Sequence, residues 1–151
     1  MKVHSVVLAC LSLIVLAAPN AEAFPIGHGA GAISRAIGDC GNPCTLASSN
    51  GGVVADFRAA GDAIRAGARQ KLVISGYCAS SCMVMADRAR PRACITSSAV
   101  FLYHKTSYNR PIPLRGDLHG WIARHGGFPG YRGTPGVMPN QVAQRFWPVC
   151  S

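Results

Sequence analysis

The sequence predicts a small α/β domain, cross-linked by disulfides, that follows an export signal. Three observations lead to this prediction. Compact β-prone runs alternate along the chain with segments of helical periodicity, which is the order typical of α/β proteins. A short apolar segment with the features of a signal peptide opens the chain. Six of the seven cysteines follow that segment, and an even number in an exported chain indicates disulfides.

The first 23 residues have the three regions of a signal peptide. Lys2 supplies the positive charge, residues 6–18 form the apolar region, and residues 21–23 read Ala-Glu-Ala, an A-x-A cleavage site. The apolar run is shorter than the roughly 20 residues that a membrane-spanning helix needs, and no later segment is apolar enough to span. We therefore expect cleavage after Ala23 and a periplasmic or secreted protein without a membrane span.

The chain beyond the signal divides into a leader and one domain. Residues 24–43 are rich in Gly and Ala and contain few large aliphatic side chains, which predicts a weakly ordered leader. Residues 44–151 are long enough for a single hydrophobic core and form the predicted domain. No internal repeat or low-complexity segment interrupts it.

The first half of the domain reads strand, helix, strand, helix. Residues 45–48 are a short strand candidate, and residues 53–66 carry apolar side chains at helical spacing, with Gly67 just beyond as a C-terminal cap. Residues 71–74 are a β-prone run that Gly76 closes. The next helix starts at Ala79 or Ser80 and ends before Pro91, because proline disfavours helical geometry in the residue before it.

The second half contains two more strands and two more helices. Strands are predicted at residues 93–95 and 99–103, on either side of a Ser-Ser turn. A helix is predicted over residues 117–125, which Gly126 and Gly127 end. After a Gly- and Pro-rich excursion, residues 140–147 are predicted to form a last short helix.

The charge balance indicates a cationic surface. Fifteen basic residues against six acidic ones give a formal charge of +9, and removal of the signal leaves no glutamate. Such a surface favours anionic partners, for example an anionic envelope polymer. The arginines are scattered, without the basic run and interleaved aromatic residues of a nucleic-acid site, so no nucleic-acid partner is expected.

The cysteine pattern has two possible interpretations, disulfide bonds and zinc coordination. Two pairs have C-x3-C spacing, whereas structural zinc sites more often use C-x2-C, so we expect disulfides and no metal. We expect a short β–α connection to bring together Cys82 on the helix and Cys94 on the next strand. The expected pairs are therefore Cys82–Cys94, Cys78–Cys150 and Cys40–Cys44. This scheme remains one of several connectivities that six cysteines allow.

Three separated motifs suggest acyl-transfer chemistry. Ser80 lies where a strand feeds a helix N-terminus, whose free N–H groups and positive dipole end favour an oxyanion. Gly51 and Gly52 lie just before the predicted helix over residues 53–66. Glycine lets a ligand approach the backbone closely. His104 ends a later strand and is suited to take a proton from the serine. Singly, these residues read as a helix cap, a turn and a strand-end histidine, so the hypothesis rests on their joint order.

The same motifs resemble a known family. Ser49-Asn50-Gly51-Gly52-Val53-Val54, Cys78-Ala79-Ser80-Ser81-Cys82 and Phe101-Leu102-Tyr103-His104 are similar to the Clp-protease/crotonase superfamily, and in particular to a group of exported bacterial proteins with a C-A-S-x-C motif. The resemblance covers about residues 45–105. It implies a fold of ββα units, Ser80 as nucleophile and His104 as general base. It also implies that the backbone N–H groups of Gly52 and Ser81 form the oxyanion hole.

The sequence departs from that family at the third catalytic group. The proline of the family's S-P-G-G is replaced by Asn50, and no Asp or Glu follows Asp117. The group that orients His104 is therefore Asp117, the side chain of Asn109 or a backbone carbonyl in residues 105–113. Asp117 lies at the predicted start of a helix, where capping is its expected role. We expect a Ser80/His104 dyad.

Three functions are compatible with these features. The first is an exported serine hydrolase, such as a peptidase, that acts on a peptide or acyl substrate without a cofactor. The alternative is a catalytically inactive envelope binding module that keeps the fold and presents a basic surface. Thioester chemistry of the crotonase type ranks last, because export separates the protein from coenzyme A and no adenine-binding signature is visible.

Overall fold

The alternation of strands and helices is present in the structure, a computed structural model that describes residues 29–38, 40–67 and 71–151. The predicted signal peptide lies outside these residues. The helices are α1 (Gly29–Ile37), α2 (Val54–Arg65), α3 (Ser81–Arg88), α4 (Gly116–Arg124) and α5 (Asn140–Ala143). The strands are β1 (Cys44–Ser49), β2 (Leu72–Ala79), β3 (Ala93–Ile95), β4 (Val100–Tyr103) and β5 (Gly136–Met138). In the described residues, no helix is both long and apolar enough to cross a membrane.

Strand β2 is the centre of one five-stranded sheet. The strands lie in the order β1-β2-β4-β5, and β3 also pairs with β2. Strands β1, β3 and β4 run parallel to β2, whereas β5 is antiparallel to β4. Ala79 at the end of β2 lies opposite Leu102 near the end of β4. Since parallel strands end at the same edge of a sheet, Ser80 and His104 emerge side by side.

Strand β2 continues past the glycine that was predicted to close it. Gly76 lies against β1, where a Cβ atom would come within 1.7 Å of the carbonyl oxygen of Ala47. The pairing register of β1 with β2 also shifts between Leu46 and Ser48. Gly76 therefore permits close approach of two strands at an irregularity, and the strand runs on to the residue before Ser80.

Helix α1 corrects the prediction of a weakly ordered leader over residues 24–43. This helix packs against α2, and the side chains of Ala32 and Ile33 are buried there. Arg35 adds an ion pair with Asp56 at 3.1 Å. The prediction was wrong for residues 29–37 because sparse aliphatic side chains in a Gly/Ala-rich segment still form an apolar stripe once a partner helix is present.

Helix α3 is the buried helix of the fold. Residues 81–87 of α3 are all buried, and α2 crosses close to it because Gly61 carries no side chain. A Cβ atom at Gly61 would lie 2.6 Å from the carbonyl oxygen of Met85. Arg88 and Asp62 join the same two helices through hydrogen bonds of 2.7 and 2.9 Å. These contacts hold the C-terminal half of α3 against α2.

The C-terminal segment is anchored in the core by an aromatic residue. The ring of Trp147 stacks on Phe101 with centroids 4.3 Å apart, and its indole N–H donates to the carbonyl oxygen of Ala86 at 2.9 Å. Helix α5 ends earlier than predicted, at Ala143, because the chain then turns to bury Trp147. Strand β5, which the sequence analysis did not predict, ends the Gly/Pro-rich excursion.

The disulfides correct two of the three expected pairs. The structure joins Cys40 with Cys44, as predicted, but it joins Cys78 with Cys82 and Cys94 with Cys150. The expected Cys82–Cys94 and Cys78–Cys150 pairs are wrong because the C-terminal segment runs beside β3, where Val149 forms a bridge with Ile95 and delivers Cys150 to Cys94. All six cysteines are thereby oxidised, which is typical of an oxidising, extracellular compartment and leaves none of them as a zinc ligand.

Candidate functional site

Ser80 occupies a strained turn between a strand and a helix. Its backbone angles are φ 55° and ψ −120°, and among the described non-glycine residues only Ser80 and Asn109 have a positive φ. Its N–H donates to the carbonyl oxygen of Leu102 at 2.8 Å, and its own carbonyl oxygen accepts from the N–H of Met83 at 2.9 Å. Such a conformation costs about 1–3 kcal/mol and is concentrated at functional sites. Ser80 lines an open groove.

His104 lines the same groove. It follows the end of β4, and its Nδ1 is hydrogen-bonded to the backbone carbonyl oxygen of Lys105. A carbonyl oxygen only accepts hydrogen bonds, so Nδ1 is the donor, and in the neutral imidazole the lone pair lies on Nε2. The ring of Tyr131 packs edge-on, with centroids 5.5 Å apart. His104 therefore has the tautomer that a general base requires.

Ser80 and His104 share the groove without a direct bond between them. Among the described hydrogen bonds, none joins the Ser80 hydroxyl to the imidazole. Catalytic hydrogen bonds are often long or misaligned before a substrate binds, so the separation is compatible with a catalytic pair. The structure places both predicted residues on one groove, and their side chains are not hydrogen-bonded to each other.

Asp117 does not orient His104. One carboxylate oxygen of Asp117 accepts from the Arg90 guanidinium at 2.8 Å, and the other accepts from the N–H of Leu118 at 2.8 Å. Partial burial raises the pKa of Asp117, but these hydrogen bonds outweigh it and hold the pKa below its usual value of 3.8. Of the orienting groups that the sequence left open, the structure places the Lys105 carbonyl at Nδ1.

The N–H group of Gly52, one of the two predicted oxyanion donors, is occupied by a side chain. The N–H of Gly52 donates to the side-chain oxygen of Ser81 at 2.6 Å, and the Ser81 hydroxyl donates back to the carbonyl oxygen of Gly52 at 3.0 Å. Ser81 is fully buried. The Gly52 N–H is thus directed at the protein interior and not at the groove. For Gly52 to bind an oxyanion, its bond to Ser81 must first open.

The neighbouring helix ends supply further N–H groups. Gly52, Val53, Val54 and Ala55 all line the groove at the start of α2. The N–H groups of Val54 and Ala55 belong to the first turn of α2, which begins its backbone bonds with the N–H of Asp56 to Val53 at 3.1 Å. First-turn N–H groups have no intrahelical acceptor, and together with the helix dipole they favour negative charge. This end of α2 is therefore suited to a developing oxyanion.

The far wall of the groove is the loop after His104. The groove has a volume of about 1060 Å³, and Thr106, Tyr108, Arg110 and Pro111 form much of this wall. The loop is closed by a 2.7 Å hydrogen bond from the N–H of Thr106 to the carbonyl oxygen of Arg110. Among the described residues that line the groove, Arg110 is the one with a permanently charged side chain. The wall combines exposed aromatic surface with a single cation.

A buried charge cluster lies outside the groove. The side chain of Asp87 is fully buried and forms an ion pair with Arg90 at 2.7 Å, while one of its oxygens accepts from the N–H of Arg115 at 2.7 Å. Burial raises the pKa of Asp87, against the opposing effect of these partners. The guanidinium of Arg90 also stacks over Trp147, 5.0 Å from the ring centroid. We assign this cluster to the stability of the fold.

Sequence reasoning missed two contributors to the site. Tyr131 belongs to the Gly/Pro-rich excursion, far from the motifs in sequence, and no local pattern marks it. Ser81 was predicted only as the source of a backbone N–H donor, although its hydroxyl is hydrogen-bonded to the backbone of Gly52. The second omission had a signal, because a serine inside a buried helix start must find a hydrogen-bond partner.

The described residues contain no group of three His, Cys, Asp or Glu side chains that is arranged to hold a metal ion. Comparison of the chain with protein-family models, with curated proteins and with solved structures finds no match. The site is therefore interpreted from its own geometry.

Proposed function

We propose that this protein is an exported serine hydrolase with a Clp-protease/crotonase-like fold, and that Ser80 and His104 act as a catalytic dyad. The observation that carries the proposal is the backbone of Ser80, which is strained at φ 55° and ψ −120° between the end of β2 and the start of α3. A strained strand-to-helix turn that exposes a serine is a known solution for a nucleophile. The histidine that shares its groove supplies the base.

The proposed reaction proceeds through an acyl-enzyme. Ser80 Oγ attacks the carbonyl carbon of the substrate while Nε2 of His104 takes the hydroxyl proton. The oxyanion of the tetrahedral intermediate lies near the N-termini of α2 and α3. His104 returns the proton to the leaving group, and a water molecule then releases the acyl group by the same steps. The Lys105 carbonyl holds the imidazole in place through Nδ1, but as a neutral group it stabilises the imidazolium less than a carboxylate would.

The substrate class follows from the groove. Its open shape and its volume of about 1060 Å³ suit an extended chain, so a peptide or another acyl compound is the proposed substrate. Val53, Tyr108 and Tyr131 line the groove and are among the large apolar side chains that remain exposed. Exposed apolar surface around a groove is typical of a binding site. These side chains favour apolar groups next to the scissile bond.

The first test is covalent labelling of the mature, oxidised protein. A fluorophosphonate probe is expected to label the wild-type chain, and Ser80→Ala is expected to abolish labelling. Ser107→Ala is the matched control, since Ser107 lines the same groove and has no role in the proposed dyad. Equal labelling of the Ser80→Ala variant, or no labelling of the folded wild-type protein, would contradict the proposal.

A second candidate function is an inactive envelope binding module with a basic surface. The specific observation in its favour is that the Gly52 N–H is occupied by Ser81 and that Arg110 faces the groove with no ion pair to a described carboxylate. Arginine binds carboxylate and phosphate oxygens well, and the formal charge of +9 attracts polyanions.

The two functions are separated by binding of Ser80→Ala protein to an anionic polymer such as polyphosphate. The binding module predicts retention that falls steeply with salt and weakens in Arg110→Gln, whereas Arg145→Gln, outside the groove lining, retains most of it. If Ser80 of the wild-type protein is labelled, and if neither salt nor Arg110→Gln changes retention on the polymer, only the hydrolase function is supported.

A further inference from the structure

The disulfide between Cys78 and Cys82 encloses the proposed nucleophile. The two cysteines are four residues apart, with Cα atoms 5.3 Å apart, and Ser80 is the middle residue between them. Cys78 belongs to β2, where it is aligned with Phe101 of β4, and Cys82 belongs to the first turn of α3. Both cysteines are fully buried. The bond therefore ties the end of the strand to the start of the helix across the turn.

We propose that the Cys78–Cys82 disulfide positions Ser80, by holding its backbone in the positive-φ conformation that exposes the hydroxyl to the groove. This inference rests on the proposed function of Ser80. A serine at φ 55° lies in a region that residues with a side chain rarely occupy, so the surrounding structure must impose it. A covalent ring of this size directly limits the backbone angles of the residues that it contains.

Non-covalent contacts hold the segments on either side of the turn, including the N–H and the carbonyl oxygen of Ser80 itself. Gly51 packs so closely that a Cβ atom there would lie 2.6 Å from the carbonyl oxygen of Ala79 and 2.8 Å from the hydroxyl of Ser81. The hydrogen bond from Ser80 N–H to Leu102 continues the pairing of β2 with β4. These contacts fix the two sides of the turn, and the disulfide joins the sides.

A role in the overall stability of the fold is more typical of the Cys94–Cys150 disulfide than of the Cys78–Cys82 disulfide. The stabilisation from a cross-link grows with the length of the chain that it closes. Cys94–Cys150 spans 56 residues and ties the C-terminal segment to β3, whereas Cys78–Cys82 spans four. The short ring therefore constrains little of the unfolded chain, and its effect is local to Ser80. Removing each disulfide in turn separates local positioning from global stability.

The experiment compares Cys78→Ala/Cys82→Ala with the matched control Cys94→Ala/Cys150→Ala. Fluorophosphonate labelling is followed over a range of probe concentrations, at a temperature where both variants are folded, and the melting temperature is measured in parallel. For Cys78→Ala/Cys82→Ala we expect the maximal labelling rate to fall about 10- to 100-fold, because Ser80 leaves its strained conformation. The half-saturating probe concentration stays within about twofold, because the groove is intact.

The control is expected to show the opposite pattern. Cys94→Ala/Cys150→Ala loses more in melting temperature, yet its labelling rate stays within about threefold of the wild type. A loss of labelling in both variants that follows their loss in melting temperature would overturn the proposal, because the disulfide would then only stabilise the fold. Wild-type labelling in Cys78→Ala/Cys82→Ala would overturn it as well.

A second readout does not depend on catalysis. Hydrogen exchange of the Ser80 amide, measured by NMR, reports the bond from Ser80 N–H to Leu102. We expect this amide to exchange at least about tenfold faster in Cys78→Ala/Cys82→Ala and at the wild-type rate in the control. If the wild-type protein is never labelled, the hydrolase fails while the exchange rates still decide the positioning role. Unchanged exchange in both variants would refute that role.

Discussion

At the residue scale, the proposed base His104 is hydrogen-bonded to a backbone carbonyl and not to a carboxylate. The sequence contains no acidic residue after Asp117, and Asp117 is paired with Arg90. The Lys105 carbonyl accepts from Nδ1 and fixes the tautomer, which leaves Nε2 free to take a proton. A neutral carbonyl orients the ring but gives little charge stabilisation to the imidazolium, so a weak hydrolase is the expected outcome.

At the residue scale we predict that His104→Ala and Asp117→Asn differ strongly. Loss of a general base lowers the rate about 10²- to 10⁴-fold, so Ser80 labelling by fluorophosphonate should be nearly abolished in His104→Ala. Asp117→Asn should label within about twofold of the wild type, because its carboxylate binds Arg90 and not His104. If both substitutions abolished labelling while the melting temperatures stayed close to wild type, Asp117 would be the third catalytic group after all.

At the scale of elements, the positions of α2 and α3 depend on how closely the two helices approach. Gly61 is buried where α2 meets Met85, and Gly51 is packed against the turn that carries Ser80. A side chain at either glycine needs space that the backbone of the partner element already fills. Close backbone contacts therefore hold α2 against α3 and hold the segment before α2 against the turn of Ser80.

We therefore predict that Gly61→Ala destabilises the protein. The new Cβ atom would lie 2.6 Å from the carbonyl oxygen of Met85, and such overpacking costs about 1–3 kcal/mol, more than alanine gains in helix propensity. Gly116→Ala is the control in α4, since nothing lies within 4 Å of its Cβ position. Urea unfolding of both variants measures the difference. A Gly61→Ala protein as stable as the control would show that α2 and α3 separate without cost.

At the scale of the whole molecule, every aspartate in the described part of the chain is engaged in an ion pair. In the described residues, Asp56, Asp62, Asp87 and Asp117 each form an ion pair with arginine, in a chain with a formal charge of +9. Burial raises the pKa of Asp87, whereas the pKa of Asp117 is lowered. The two groups therefore contribute to the pH dependence of stability with opposite signs.

We predict that Asp117→Asn lowers stability near pH 7 and has little effect in acid. Since the folded-state pKa of Asp117 lies below the usual 3.8, its contribution is present above pH 3.8 and is lost as the pH falls through the folded-state pKa. The side chain is half exposed, so the loss at pH 7 should be about 0.5–1 kcal/mol. Chemical unfolding at several pH values measures it, with Asp56→Asn as a control for another exposed ion pair. A constant difference from pH 7 to pH 2 would contradict this assignment.

The sequence by itself determined the alternation of strands and helices, the even set of oxidised cysteines and the neighbourhood of Ser80 and His104. It did so because apolar periodicity, turn residues and parallel strand ends are local patterns with direct structural consequences. Strand 93–95 has the predicted bounds, and the strand before His104 begins one residue later than predicted. The Cys40–Cys44 pair was also predicted correctly, as the pair that remained after the other cysteines had been assigned.

Only the tertiary structure decided the remaining features. Helix α1 exists because α2 covers its apolar stripe, and β2 runs through Gly76 because β1 lies against it. The C-terminal segment pairs with β3, so Cys150 meets Cys94, and Cys78 is left to pair with Cys82 around Ser80. The hydrogen-bond partner of the His104 ring likewise could not be predicted, because it depends on the conformation of the loop after β4. These features depend on contacts between distant segments, which no local pattern contains.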